Sequence, residues 1–259
     1  MHRILLAALV LAVVPSVQAQ DSTGNTFTWD GQIPQGSWLP VRNINGGITV
    51  EGASGNSVHV TGEKHWRHGD PSQVHFTVFK TGSDVTICAL WHEGDTCDED
   101  GYHSHHHGNN DNNDVSVHFA VQLPKGVKMD AHTVNGGLDI HGAQAEVEAE
   151  TVNGDIEAAT TMGPVNASTV NGSVRVSMDS LTGDGDLSFT TVNGSVRAEL
   201  PTTLNAELEM STVNGSFTSD YPLTVSGRLS PRHIRATIGN GGRRIRFETV
   251  NGSVQLLKR

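Results

Sequence analysis

Histidines and acids are concentrated in residues 92–114, a stretch with the residue types of metal sites and no Lys or Arg. Its five histidines and seven acids are His92, His103, His105, His106, His107, Glu93, Asp95, Asp98, Glu99, Asp100, Asp111 and Asp114. Clustered imidazoles suit zinc, copper or nickel, and oxygen-rich flanks suit calcium. The spacing fits no EF-hand loop and fixes no coordination geometry. We expect a solvated surface loop and no cofactor, with a weak divalent-metal site at His103, His105, His106 and His107 as the alternative.

Two pairs of carboxylates have the residue type needed for glycan hydrolysis. Asp155 with Glu157, and Asp184 with Asp186, are two residues apart, so each pair would lie side by side on one strand face. Hydrolysis requires two carboxylates about 5 to 9.5 Å apart in a groove. The sequence has no nucleophile with an adjacent base, no P-loop and no dinucleotide-binding fingerprint. We therefore predict that the protein is not an enzyme, and keep a glycan-active enzyme as an alternative.

The N-terminus has the features of a secretory signal peptide. His2 and Arg3 precede an apolar run over residues 4–14, and residues 17–19, Val-Gln-Ala, form a small-x-small cleavage site. The run is shorter than the ~20 apolar residues of a membrane-spanning helix, and no later segment approaches that length. We expect residues 1–19 to be removed, which leaves a soluble periplasmic or extracellular protein.

The exported chain keeps two cysteines, Cys88 and Cys97. In an oxidising compartment we expect them to form a disulfide, with free or metal-bound thiols as the alternative. Aromatic residues make up only 5% of the chain and glycine is frequent, with 29 residues. No segment sustains the 3.6-residue apolar period of a helix, so the composition and the pattern both indicate an all-β protein.

Charge is distributed unevenly along the chain. The formal net charge is -11, yet residues 228–259 contain eight basic residues and one acid, Glu248. If the chain stacks in sequence order, this segment forms a basic pole that attracts an anionic partner. Alternatively, its arginines only decorate exposed strand faces. The acidic remainder and the sparse aromatics argue against nucleic-acid binding.

A repeat predicts the elements that position these residues. Thr-Val-Asn-Gly occurs six times, starting at Thr133, Thr151, Thr169, Thr191, Thr212 and Thr249. Successive starts are 18, 18, 22, 21 and 37 residues apart, and the last interval suggests one coil without the motif. Apolar residues alternate on both sides of each copy, which predicts a strand before it and a strand after it. The Asn-Gly pair is expected to supply the positive φ angles of a tight corner.

Corners that recur in this way favour a parallel β-solenoid over a hairpin meander, because stacked coils place identical residues about 4.8 Å apart. The asparagines would then form an amide ladder of Asn135, Asn153, Asn171, Asn193 and Asn214, with Asn251 after one missing rung. The outward positions in register would form an ion-pair ladder between coils, made of Asp139, Glu157, Arg175 and Arg197. This register also offers a structural role for Glu157 in place of catalysis.

Alternation through the motif decides which side chains face the core. It places Thr191 inside and Val192 outside, although hydrophobicity alone would reverse them, and the threonine hydroxyl can bond locally at the corner. The valines then form an apolar stripe of Val134, Val152, Val170, Val192, Val213 and Val250. Such a stripe is either sealed by a neighbouring loop or used for contact.

One β-solenoid domain is predicted over residues 20–259. Residues 20–122 would form irregular coils, including the His/Asp-rich loop at 92–114, and residues 123–259 would form the regular coils. Within the irregular part, Asn43, Ile44, Asn45 and Gly46 resemble a degenerate copy of the motif that opens the stack.

Several of these segments resemble the DUF4097 family of bacterial adhesin-like proteins, also described as a toastrack or adhesin-like β-helix domain. The resemblance rests on Thr-Val-Asn-Gly-Asp-Ile at 151–156, Ile-Gly-Asn-Gly-Gly at 238–242, Asn-Asp-Val-Ser-Val at 113–117 and Leu-Pro-Lys-Gly-Val at 123–127. It covers nearly all of the exported chain and implies an extracytoplasmic right-handed β-solenoid with no established catalytic residues.

The expected function is therefore an adhesin-like, non-catalytic interaction in the cell envelope or outside the cell. The partner would be an envelope or extracellular polymer, a protein or a second copy of the chain. A metal-binding envelope protein that uses the His-rich loop is an alternative.

Overall fold

The computed structural model describes residues 24–98, 101–104, 113–226, 230 and 232–259. These residues form 23 β-strands, a turn of 3-10 helix at Pro71–Gln73 and no α-helix, which confirms the all-β prediction. No helix in the described ranges is long and apolar enough to cross a bilayer. The predicted signal peptide, residues 1–19, lies outside the described residues, as do His105, His106 and His107.

Nine strands precede the regular repeats. They are β1 Thr26–Gly31, β2 Trp38–Arg42, β3 Ile48–Ala53, β4 Val58–His65, β5 His75–Thr81, β6 Asp84–Leu90, β7 Thr96–Asp98, β8 Gly101–His103 and β9 Ser116–Pro124. The next eight are β10 Lys128–His132, β11 Leu138–Ala143, β12 Val147–Glu150, β13 Ile156–Thr160, β14 Val165–Ser168, β15 Val174–Met178, β16 Leu187–Thr190 and β17 Val196–Leu200. The last six are β18 Ala206–Ser211, β19 Phe217–Ser219, β20 Thr224–Val225, β21 His233–Ile238, β22 Arg244–Glu248 and β23 Val254–Lys258.

Two large sheets share one hydrophobic core. The ten-stranded sheet has the order β1-β4-β9-β3-β11-β13-β15-β17-β23-β19, and the eleven-stranded sheet has the order β20-β21-β18-β22-β16-β14-β12-β10-β2-β6-β5. Most neighbouring strands are parallel, and the antiparallel pairs lie toward the ends of the sheets. Strands β7 and β8 form a separate hairpin.

Each copy of the motif joins a strand of the larger sheet to a strand of the smaller one. The copy at Thr151, for example, follows β12 and precedes β13, and the chain then returns to the larger sheet as β14. In the register, Val147 pairs with Val165 and Ile156 pairs with Val174. One circuit of the chain therefore adds one strand to each sheet and stacks the motif on its previous copy.

The C-terminal coil is inserted into the stack and is not added at its end. Strand β22 lies between β16 and β18, and β23 lies between β17 and β19. The predicted missing rung is therefore wrong: the long interval before Thr249 contains β20 and β21, which lie beyond β18. The condition for a basic pole, that the coils stack in sequence order, is not met, because β22 and β23 lie inside β18 and β19.

The glycine of the motif is required by close packing, not by backbone conformation. None of the six motif glycines has a positive φ, so the predicted left-handed corner is wrong. A Cβ on Gly154 would lie 2.0 Å from the carbonyl oxygen of Gly136, and one on Gly172 would lie 2.0 Å from that of Gly154. The neighbouring backbone thus fills the space that any side chain would need.

The core is built from the inward half of each alternating strand. Ile48, Leu138, Ile156, Val174 and Val196 are fully buried on the smaller sheet, and their strands pair in that order. Aromatic rings contact one another in two separate parts of the core. Phe189 and Phe247 are 5.3 Å apart between ring centroids within the regular coils, whereas Phe27, Phe76 and Phe119 form a chain of ring contacts under β1, β5 and β9.

The segment around Asn45 is the first coil of the same stack. Strands β2 and β3 pair in parallel with β10 and β11, and Asn45 forms a bridge with Asn135. Beyond it, β9, β4 and β1 continue the smaller sheet, while β6 and β5 continue the larger one. The described part of the N-terminal half thus extends both sheets.

Candidate functional site

The six motif copies form one edge of the stack, where the chain passes between the two sheets. Two columns of stacked side chains, one of asparagines and one of valines, lie on the outer side of this edge. The Asn ladder consists of Asn45, Asn135, Asn153, Asn171, Asn193, Asn251 and Asn214, in spatial order. The Val stripe consists of Val134, Val152, Val170, Val192, Val250 and Val213, in the same order.

The threonines of the motif are buried and bind the neighbouring coil. All six have less than a tenth of their surface exposed. The Thr151 hydroxyl donates to the carbonyl oxygen of Gly136 at 2.8 Å, and that of Thr191 donates to the carbonyl oxygen of Gly172 at 2.7 Å. The same bond recurs at the other four copies. The alternation pattern therefore placed threonine on the correct side, and the hydroxyl satisfies a carbonyl between coils.

The Asn ladder is a continuous chain of side-chain amides. Asn153 Nδ2 donates to Asn135 Oδ1 at 2.8 Å, and Asn171 Nδ2 donates to Asn153 Oδ1 at 2.9 Å. The other four links have lengths of 2.8 or 2.9 Å. An amide has two N–H donors and an oxygen with two lone pairs, so each interior asparagine keeps one donor and one lone pair toward solvent.

The Val stripe is exposed along most of its length. Relative exposure is 40% at Val170, 39% at Val192, 36% at Val250 and 51% at Val213, while Val134 and Val152 are half-buried. No loop of the described residues seals these four valines. Large apolar side chains in this state usually pack or bind something when they form a row.

Repetition singles out the valine among the exposed positions. The outward residues in register on the smaller sheet vary in charge from coil to coil and are Asp139, Glu157, Arg175, Arg197 and Gln255. Valine, in contrast, occupies its position in all six copies, and four of the six valines are exposed. Threonine, asparagine and glycine each make a bond or a close contact between coils.

Comparison with known proteins agrees with this architecture. The sequence profile of Toastrack DUF4097 matches residues 98–257, a span that contains all six motif copies. The chain belongs to the Toastrack DUF4097 family. The first six described strands and Cys88 precede the matched residues.

Two solved structures resemble this Toastrack chain. A "putative cell adhesion protein" from Clostridium sporogenes ATCC 15579 has 9% sequence identity and a TM-score of 0.48, and the match covers 90% of this chain and 100% of that one. A "putative adhesin" from Bacteroides fragilis NCTC 9343 has 10% identity and a TM-score of 0.30, with 92% and 98% coverage. Among curated proteins, no significant match was found.

Within the two acidic pairs of this Toastrack chain, carboxylates accept hydrogen bonds from backbone amides and form ion pairs with neighbouring arginines. The Asp155 carboxylate accepts a hydrogen bond from the Ser173 amide at 2.7 Å and lies 3.7 Å from Arg175 Nη1. The Asp186 carboxylate accepts from the Arg244 amide at 3.1 Å and pairs with that guanidinium at 3.3 Å. One carboxylate of each pair thus links two coils.

The predicted register of the ion-pair ladder is found, but the ion pairs follow other directions. Arg197 pairs with Glu199 on its own strand at 2.7 Å, and Asp139 pairs with His141 at 2.6 Å. Side chains two residues apart on one strand share a face, so they reach each other without crossing to the next coil.

The arginines of the C-terminal coil and its neighbours also lie on strand faces. Arg235 pairs with Glu209 at 3.2 Å, Arg246 pairs with Glu248 at 2.5 Å, and Arg259 pairs with Asp179. The alternative in which these residues decorate exposed faces therefore fits the structure better than a basic pole.

The segment with the predicted metal ligands is attached to β6 by a disulfide bond between Cys88 and Cys97. His103 lies on β8 and contacts Asp98 through Nε2 at 2.9 Å. Over the residues that the structure describes, no three His, Cys, Asp or Glu side chains converge as metal ligands do. His105, His106 and His107 lie outside this range.

Two acids of this segment are structural, which the composition did not indicate. Asp95 is buried, and its carboxylate accepts from the His92 amide at 3.0 Å and from the Tyr102 hydroxyl. Burial and this bond raise the pKa of Tyr102. Asp114 accepts from the backbone amides of three consecutive residues, 67–69, at 2.8 to 3.2 Å. The bond from Gly69 is the main reason that the pKa of Asp114 is lowered.

The outer face of the larger sheet carries a cluster of acids that sequence reasoning missed. Asp130 and Glu148 are directly paired in the register, Glu150 is the last residue of β12, and Glu146 directly precedes that strand. Desolvation on the sheet face raises the pKa of Glu148, and the neighbouring Asp130, Glu146 and Glu150 add to the effect. The signal was available, since aligning the coils on their motif places Asp130 beside Glu148.

Proposed function

We propose that this Toastrack chain is an exported, non-catalytic adhesin-like protein that binds a linear, uncharged polysaccharide of the envelope or extracellular matrix along the Val stripe and the Asn ladder. The carrying observation is that valine recurs in all six copies and is exposed in four of them. In this proposal the solenoid is right-handed, as in the resemblance noted above, and its motif copies form the corners.

The shape of the edge favours a polymer over a folded protein. With Ile44 at one end, seven apolar side chains follow one line, and six steps of about 4.8 Å make a row about 29 Å long. One column of side chains is far smaller than the roughly 800 Å² per partner buried in a stable protein interface. A long, narrow surface with a regular repeat suits a chain molecule that also repeats.

The chemistry of the edge favours hydroxyl-rich, uncharged units. The Asn ladder offers a free N–H and a free lone pair at each interior step, and sugar hydroxyls can pair with both. The Val stripe offers an apolar surface for the C–H faces of the sugar rings. Residues that directly flank the motif are mostly uncharged, with acids only at Glu150, Asp155 and Glu248, so a polyanion has no cationic partner there.

Export and the absence of catalysis are parts of the same proposal. The disulfide between Cys88 and Cys97 suits an oxidising compartment, which supports removal of residues 1–19 as a signal peptide. One carboxylate of each candidate hydrolytic pair, Asp155 and Asp186, is bound to a backbone amide and paired with an arginine. These engagements favour an interaction surface over a glycan-cleaving site.

Co-sedimentation of residues 20–259 with insoluble cellulose, chitin and the β-1,3-glucan curdlan tests the proposal, with soluble sugar release measured in the same tubes. We expect saturable binding to at least one polymer, little change with added salt, and no sugar release. Salt-sensitive binding would point to charged surfaces and contradict the assignment. The assignment would also be contradicted if the protein bound none of the three polymers, or if it released sugars.

A further inference from the structure

Seven stacked Asn-Gly pairs make the motif edge a candidate for spontaneous side-chain chemistry. The backbone nitrogen after an asparagine can attack the side-chain Cγ, and glycine hinders this attack least because it has no Cβ. A new N–Cγ bond forms, the Cγ–Nδ2 bond breaks, and ammonia leaves with the proton from the backbone nitrogen. Water then opens the five-membered succinimide at either carbonyl, which gives aspartate or isoaspartate without any oxidant or reductant.

At the interior rungs of the Asn ladder, hydrogen bonds restrain every group that takes part in this reaction. The Gly154 amide, which would be the nucleophile after Asn153, donates to the carbonyl oxygen of Asn171 at 3.0 Å. The Asn153 side chain donates to Asn135 and accepts from Asn171. Attack at this rung requires these hydrogen bonds to open first. The same set of bonds recurs at the rungs of Asn135, Asn171, Asn193 and Asn251.

Asn214 is the end of the ladder because the C-terminal coil is inserted before it. Its Nδ2 donates to Asn251 Oδ1 at 2.8 Å. Among the described residues, neither Asn214 Oδ1 nor the Gly215 amide has a hydrogen-bond partner. Gly215 is also exposed, whereas the glycines of the other five copies are half-buried. Within the described residues, no hydrogen bond therefore restrains the Gly215 backbone nitrogen, which is the nucleophile, or the side-chain oxygen Oδ1 of Asn214.

We infer that Asn214-Gly215 is a deamidation and isoaspartate-forming site, and that the other six rungs are protected while the protein is folded. The opposite end is different: Asn45 accepts from Asn135, and the Gly46 amide donates to the Asn135 carbonyl at 2.8 Å. Asn240-Gly241, outside the ladder, also has an engaged nucleophile, since the Gly241 amide donates to Ile238 at 3.1 Å.

The modification changes the end of the edge in two ways. It replaces the amide that donates to Asn251 with a carboxylate, so two acceptors face each other and the last link is lost. It also places a negative charge beside Val213, the most exposed valine of the Val stripe. Isoaspartate additionally lengthens the backbone by one carbon between β18 and β19.

Peptide mapping by mass spectrometry after incubation of residues 20–259 at mildly alkaline pH and 37 °C tests this inference. In folded protein we expect Asn214 to deamidate about tenfold or more faster than any other rung, since the two protecting bonds are missing there. In concentrated urea all seven rungs should react at similar rates, which serves as the control for intrinsic reactivity.

Equal rates along the folded ladder, or a faster interior rung, would overturn the inference. An Asn214→Gln variant provides a second measurement. Glutamine forms the corresponding ring far more slowly, so this variant should show almost no ladder deamidation over the same period. In this variant the Gly252 amide can still donate to the backbone carbonyl oxygen of residue 214, so deamidation of Asn251 at the former rate of Asn214 would show that an engaged glycine amide gives no protection and would overturn the inference.

Discussion

Asn251 donates from Nδ2 to Asn193 Oδ1 at 2.8 Å, although 58 residues separate the two in the chain. Between them in sequence lies Asn214, which is the next rung outward and donates to Asn251. The last coil of the chain is therefore an interior coil of the structure. Both sheets remain paired across it through β22 and β23.

This order predicts that Asn251 matters more for stability than Asn214. Asn251→Ala removes two ladder bonds and should lower the free energy of unfolding by about 2 kcal/mol, whereas Asn214→Ala removes one and should cost about 1 kcal/mol. Urea denaturation of the two variants measures the difference. If Asn214→Ala were the more damaging change, the inserted order would be wrong.

Close packing at the motif glycine predicts a severe effect of a single methyl group. Gly172→Ala would place its Cβ 2.0 Å from the Gly154 carbonyl oxygen, so the coils must separate, at a cost of about 3 kcal/mol or more. Gly185→Ala is the matched control, because its Cβ meets nothing within 4 Å. Thermal melting should separate the two variants clearly. Equal melting temperatures would show that the coil spacing can adapt.

The buried threonine column predicts that a nearly isosteric apolar residue is not tolerated. Thr191→Val removes the bond to the Gly172 carbonyl and leaves that oxygen unsatisfied, which should destabilise the protein by about 1 to 2 kcal/mol. Thr191→Ser keeps the hydroxyl and loses only a methyl group. In chemical denaturation, Thr191→Ser should be more stable than Thr191→Val. The reverse order would show that the threonines stabilise the fold by packing alone.

The acidic cluster on the larger sheet predicts a pH-dependent gain from neutralising Glu148. Its raised pKa means that the folded state holds this proton more tightly than the unfolded chain. The ionised group therefore destabilises the fold above its folded-state pKa, and the penalty vanishes below its ordinary value of 4.5.

Glu148→Gln should accordingly raise the melting temperature at pH 7 and lose this advantage on acidification below pH 4.5. Glu157→Gln, on the other sheet, controls for the removal of one negative charge. An advantage of Glu148→Gln that persists unchanged in acid would exclude the electrostatic explanation.

The sequence predicted which residues form the columns of stacked side chains, but not the order in which the coils stack. Period-2 alternation is local, so it placed Thr191 inside and Val192 outside without knowledge of neighbours. The choice of neighbour is not local, because the motif copies are identical and each could stack on any other. Strand β21 pairs antiparallel with β18 and occupies its outer side, so the last coil joins the stack on the inner side of β18.

The role of glycine was misassigned for a related reason. Asn-Gly commonly indicates a turn with positive φ, and only the neighbouring coil shows that Gly154 faces the Gly136 carbonyl. Asp95 could not be assigned from composition either, since its burial depends on the hairpin of β7 and β8 that the disulfide attaches to β6. Contacts between distant segments determine all of these features.

The Val stripe as the binding surface is the central claim, and replacing three of its four consecutive exposed valines tests it most directly. The variant Val170→Thr, Val192→Thr, Val250→Thr keeps β-branched side chains and replaces one methyl group of each with a hydroxyl. Val225→Thr, an exposed valine outside the stripe, is the control. Affinity is measured by co-sedimentation with whichever of cellulose, chitin or curdlan the unaltered protein binds. The account predicts that the triple variant melts normally and binds at least about tenfold more weakly, a loss of about 1.4 kcal/mol, while the control is unchanged. Unchanged affinity of a folded triple variant would contradict it.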